Sequence, residues 1–100
     1  SKKLQKVGYL LVDQDDDGEL ISHFDQETIE QYAILEHEDW MAGKIENGWS
    51  YAPTRDDSQK KHNCLVPWGQ LSEMYREYDR DIARNVIRLA TMVNMKVIKA

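Results

Sequence analysis

One cysteine, two prolines and five glycines in 100 residues narrow what this chain can be. A single thiol, Cys64, forms no internal disulfide and falls far short of a zinc ligand set, which points to a reducing compartment, the cytoplasm. No run of about 18 apolar residues occurs, so no membrane insertion is expected, and no basic-then-apolar leader opens the chain. Glycine-rich phosphate loops, nucleophile elbows and paired metal-binding histidines are missing, and His23, His37 and His62 are scattered, so no enzyme is expected. Basic charge is scarce as well. Residues 1–50 carry 4 basic and 12 acidic side chains and residues 51–100 carry 9 and 6. A net charge of -5 argues against a nucleic-acid platform, whose affinity comes from a basic surface releasing counterions. A small anionic ligand held by a few arginines is compatible with it.

What is present describes a folded unit. Apolar residues make up 41% and charged residues 31%, too apolar for a disordered tail. Ser1 where a methionine would begin a chain suggests a piece of a larger protein. The expected fold is α+β and mainly helical. Two principal helices are joined by an ordered, aromatic-rich loop, with an N-terminal β-hairpin before them and a short C-terminal strand after. Residues 1–24 form the acidic hairpin, from the apolar runs Val7–Val12 and Leu20–Phe24, packed on a domain of residues 25–100. Asp25 caps a helix from Gln26 to Glu46, and Asn47-Gly48 ends it. Trp49–Pro67 reads as the loop. Leu71, Tyr75, Tyr78, Ile82, Val86, Leu89 and Val93 recur at three and four, a helical stripe expected to face the core. Asp79 could cap a fresh helix, leaving one long helix or two as alternatives. Val97-Ile98 suggest the final strand, pairing with the opening hairpin.

Several residues could carry chemistry. At 100° per residue, Glu36 and His37 fall on the inward face of the first long helix with Ile29, Ala33 and Trp40. They are either a satisfied buried pair or the polar floor of a ligand pocket. Arg76, Arg80, Arg84 and Arg88 stand four apart, and Glu73, Glu77 and Asp81 precede the first three by three residues, which reads as a solvated, salt-bridged face. Arg88 lacks such a predecessor. Asp13, Asp15, Asp17 and Gly18 reproduce the first half of a calcium-binding loop. The closing glutamate is replaced by Phe24, so an acidic turn is the main reading and calcium the alternative.

Ala33 followed by Glu36-His37-Glu38-Asp39-Trp40, then Gly48-Trp49-Ser50-Tyr51, Arg55-Asp56-Asp57, His62, Leu65-Val66-Pro67-Trp68, Leu71, Glu73, Asp79 and Arg80 form ordered blocks across Ile29–Ile98. This pattern resembles the ryanodine receptor repeat (RyR) domain, most closely its bacterial single-copy form. The resemblance implies a non-catalytic ligand-sensing or assembly module. In the channels such repeats occur as tandem pairs with an adenine nucleotide at their junction, and bacterial copies are appended to other modules. It marks Trp40 and Asp79 as ligand contacts. An indole face can contribute about 1 to 3 kcal/mol by stacking on a base. Arg55, His62 and Arg80 are then the expected phosphate or ribose partners. Trp40, Trp49 and Trp68 would otherwise serve the core of so small a domain. The expected function is binding of an adenine-type nucleotide to regulate an attached or partner protein, with no bound cofactor. The alternative is self-association, a homodimer without a small ligand.

Overall fold

In the computed structural model, which describes residues 2–100, the chain runs α1 (Lys2–Lys6), β1 (Tyr9–Asp13), α2 (Gln26–Glu46), β2 (Ser50–Tyr51), β3 (Lys61–His62), α3 (Glu73–Met92) and β4 (Met95–Lys99). Single turns of 3-10 helix occupy Asp57–Gln59 and Trp68–Gln70. The architecture is α+β and mainly helical. No helix among the described residues is long and apolar enough to cross a membrane.

Helix α2 has the predicted span because both ends are encoded locally. The Asp25 carboxylate accepts the Thr28 N–H at 2.8 Å, satisfying an amide that the first turn leaves orphaned. Gly48 at φ +90° turns the chain out of the helix, a backbone region that side chains with a Cβ resist. Helix α3 is unbroken, so Asp79 lies inside it and caps nothing.

The opening hairpin is a correction. β1 pairs antiparallel with β4, Leu11 opposite Val97, and the segment after the acidic turn meets β4 as well. Leu20 bridges Ile98, and Ile21 N–H donates to the Val97 carbonyl at 2.9 Å. The C-terminal strand therefore lies between the two segments expected to pair with each other. Val97, 0% exposed, gains its burial from that central position, which a two-stranded hairpin would not have supplied. The acidic turn is held locally: Asp16 accepts the Gly18 N–H at 2.8 Å, and the Lys96 ammonium donates to the Asp16 carbonyl. Asp13, Asp15 and Asp17 do not converge, and among the described residues no cluster of three or more potential metal ligands occurs.

The α3 stripe is a second correction. Tyr78 (60%), Ile82 (43%), Leu89 (48%) and Val93 (66%) are exposed, while Ala83 and Ala90 are buried with Leu4, Phe24, Tyr32 and Val97. The buried face is rotated by roughly 100° from the stripe of large residues. Alanines explain this, because a helix surface without long side chains lets the neighbouring backbone approach closely. Ala33 on α2 and Ala83 on α3 are both 0% exposed. Around them Val86, Ile87, Ile29 and Tyr9 complete the core. Helix α1, which no pattern announced, contributes Leu4 to it.

Candidate functional site

Beyond the core, α2, α3 and the loop between them enclose an open cleft of about 250 Å³, lined by His37, Trp40, Arg55, His62, Tyr75 and Asp79 among others. Its walls are aromatic. Trp68, His37, Trp40, His62 and Trp49 form a continuous series with ring centroids 6.1, 5.8, 4.9 and 6.2 Å apart. The sequence spaces these rings over 32 positions, from His37 to Trp68. The short parallel pairing of β2 with β3 brings the loop members back against α2. That volume lies just below the usual ligand-pocket range of about 300–1,000 Å³, so it suits one planar ring system with the remainder of a ligand outside.

The floor is set by hydrogen-bond logic. His37 is 3% exposed, and its Nε2 lies 2.8 Å from the Val66 carbonyl oxygen. A carbonyl only accepts, so Nε2 carries the hydrogen and, in the neutral ring, Nδ1 is a bare acceptor. Nδ1 faces Asp79 Oδ2 at 3.9 Å. Burial pushes the Asp79 carboxyl above the usual carboxylate range; His37 opposes this and Glu36 adds to it. Two acceptors thus confront each other unless a proton is held between them or a guest supplies a donor.

His62 is fixed in the opposite sense. Cys64 N–H donates to its Nδ1 at 3.0 Å, which requires that nitrogen to be unprotonated. Burial, then the Arg55 and Lys44 cations, hold the ring below the ordinary histidine value. A base depressed on folding contributes stability above its unfolded pKa and loses it as pH falls. Asp79 has the other sign, because its raised carboxyl favours the fold at low pH and loses that contribution as pH rises through its folded value. Denaturant titrations at a series of pH values should show stability falling below about pH 6.5. His62→Asn, which keeps an acceptor for Cys64 N–H but cannot titrate, should flatten the fall, whereas Asp79→Asn should steepen it. Cys64 itself lines the cleft with its thiol pushed up by burial, which disfavours the nucleophilic thiolate.

Of the seven residues singled out in the sequence, five line this cleft: Trp40, His37, Asp79, His62 and Arg55. Arg55 stands at the rim, forked onto Asp57 at 2.7 and 3.1 Å. Glu36 and Arg80 are not brought there. Glu36 pairs with Lys3 Nζ of α1 at 2.6 Å, a partner no local spacing could reveal. Arg80 is gripped by Glu30 at 2.7 Å, by Glu77 at 3.2 Å and by Glu73, with its guanidinium 5.8 Å from the Trp68 ring centroid. These carboxylates hold its pKa above the ordinary arginine value and leave it structural, binding α3 to α2. Trp49 and Trp68 are half-buried, with the Lys44 ammonium 4.3 Å from the Trp49 ring centroid. Tyr75 and Tyr78, read as core, line the cleft instead.

The family model for the RyR domain matches residues 17–99. That match begins 12 residues before Ile29, where the sequence resemblance began, and so takes in part of the acidic turn. It covers both long helices, the aromatic cleft and all of β4. The chain belongs to the RyR domain family.

Proposed function

We propose that this RyR domain is a non-catalytic, cytoplasmic sensor module of a larger protein that binds an adenine-type nucleotide in the cleft between α2 and α3. One observation carries the reading: His37 Nδ1 and the Asp79 carboxylate, 3.9 Å apart, present two acceptors at the base of an aromatic cleft. An exocyclic amino group on a planar ring donates two hydrogens, one to each. A ring with oxygen at the same place would set a third acceptor against them, a mismatch that costs about 1–3 kcal/mol when the groups are buried. Trp40 and Tyr75 supply faces for the ring. Arg55 and His62 lie where the sugar and phosphates would emerge, and Arg55 can shift from Asp57 to a phosphate oxygen because both are exposed acceptors of the same geometry.

A thermal-shift panel of ATP, ADP, NAD and ADP-ribose against ITP, whose ring carries oxygen in place of the amino group, tests this. A ligand at about 100 times its Kd stabilises by roughly 2.7 kcal/mol, so the adenine compounds should raise the melting temperature at millimolar concentration and ITP should not. No shift with any adenine compound, or an equal shift with ITP, would overturn the reading. Self-association, the alternative function, would draw on the outer face of α3.

A further inference from the structure

Met74, Tyr78, Ile82, Leu89, Met92 and Val93 are all exposed on α3, and they fall within about 100° of one another around the helix. They form an apolar band spanning 20 residues, about 29 Å at 1.5 Å per residue. Tyr78 also borders the cleft, and the face of α3 that lies on the core, through Ala83 and Ala90, is turned roughly 100° away from the band. Contiguous exposed apolar surface of this kind is uncommon on a lone domain and marks an interaction site.

The band is bordered by a charged row that identifies the occupant. Glu77, Asp81, Arg84 and Arg88 follow one another along one edge, the acids toward the N-terminus and the bases toward the C-terminus. Arg84 meets Glu77 and Asp81 within the helix. Arg88 reaches only Asn85 Oδ1 at 3.1 Å and Met92 Sδ at 3.7 Å, and among the described residues no carboxylate pairs with it. A row with this polarity is complementary to itself when reversed. About a two-fold axis near residue 83, Glu77 falls opposite the partner's Arg88 and Asp81 opposite the partner's Arg84. The same operation sets Met74 against the partner's Met92 and Tyr78 against the partner's Leu89. A parallel two-fold copy would carry its charged row to the far edge of the band, so the two rows would not meet and the complementarity would go unused.

We propose that the outer face of α3 is a docking surface for a second copy of this chain, laid antiparallel across it as an isologous pair. A single helix face falls short of the about 800 Å² per partner of a standard interface, so the dimer is a weak one, with a Kd of tens to hundreds of micromolar.

Sedimentation equilibrium from about 1 micromolar to 1 millimolar reads this directly, with a monomer–dimer transition expected inside the range. Leu89→Glu, at a half-exposed position outside the cleft, should raise the Kd at least tenfold and leave the thermal melt of the monomer unchanged. Orientation is read by air oxidation of a mixture of Tyr78→Cys and Leu89→Cys variants, which should give the mixed cross-linked dimer. Leu89→Cys alone should give none, because its two copies lie roughly 18 Å apart along the axis. A monomer throughout, a dimer that survives Leu89→Glu, or cross-linking of Leu89→Cys with itself would each overturn the proposal. Tyr78 also lines the cleft, so the two readings are told apart with Leu89→Glu, which leaves the cleft lining intact and should bind ATP as the parent chain does.

Discussion

Replacing Ala83 by leucine is expected to lower the melting temperature by roughly 10–20 °C. Ala83 is 0% exposed at the meeting of α3 with the core, as is Ala33 on the facing helix. Three added carbons have no void to enter, so either α3 retreats from α2 or neighbouring side chains leave their rotamers. Overpacking of this kind costs about 1–3 kcal/mol, and each kcal/mol moves the midpoint of a domain this size by about 4–8 °C. The retreat would also stretch the Arg80 clasp, whose reach from α3 to Glu30 on α2 is 2.7 Å, placing the cost at the upper end. Calorimetric melts at low micromolar concentration measure it. Leu89→Ala provides the contrast: the side chain is larger but exposed, so its loss should fall within about 0.5 kcal/mol. Similar melts for the two variants would mean that the helix faces are assigned the wrong way round.

The second large effect concerns Trp40. Its ring lies 5.8 Å from His37 and 4.9 Å from His62, centroid to centroid, and forms part of the cleft wall. Loss of a stacking face costs about 1–3 kcal/mol per base, so Trp40→Ala should weaken ATP binding by about 5- to 150-fold. Trp40→Phe, which keeps an aromatic face, should lose less. Titration calorimetry on both variants, with circular dichroism to establish that they fold, separates a binding wall from a packing element. A folded Trp40→Ala protein with unaltered affinity would move the ligand away from α2.

What could be read from the residues in advance follows from how local each signal is. Helix α2 was legible to its end residues because Asp25 and Gly48 act within a turn of where they stand. The existence of α3 was legible too, but its buried face was not. Periodicity weighs large apolar side chains, and here those are exposed while alanines make the contact. The hairpin failed because strand pairing is decided by long-range competition. β4, more than 80 residues downstream of β1, offers both arms a partner that places Val97 at the centre. At the cleft, the inward direction of His37 followed from helix geometry. Glu36 was misplaced since Lys3 belongs to a five-residue helix without any sequence pattern. Arg80 fits the salt-bridged face that the acidic spacing suggested, in place of the ligand role. The acceptor pair of His37 and Asp79 has no local signature, because it depends on the distant Val66 carbonyl selecting one imidazole nitrogen.

The β1–β4 ladder has a mechanical consequence. Tyr9 stands opposite Lys99, and Ala100 N–H donates to the Gly8 carbonyl at 3.0 Å, so the chain enters and leaves the sheet at neighbouring points. Tension that draws those two points apart acts across the ladder and loads its rungs in succession, beginning with Gly8 and Ala100. Such a sheet peels open like a zip under modest force, whereas strands pulled lengthwise resist by shearing all rungs at once. Tethered between heavier bodies, this fold would yield first along β4 and carry Val97 out of the interior as it went.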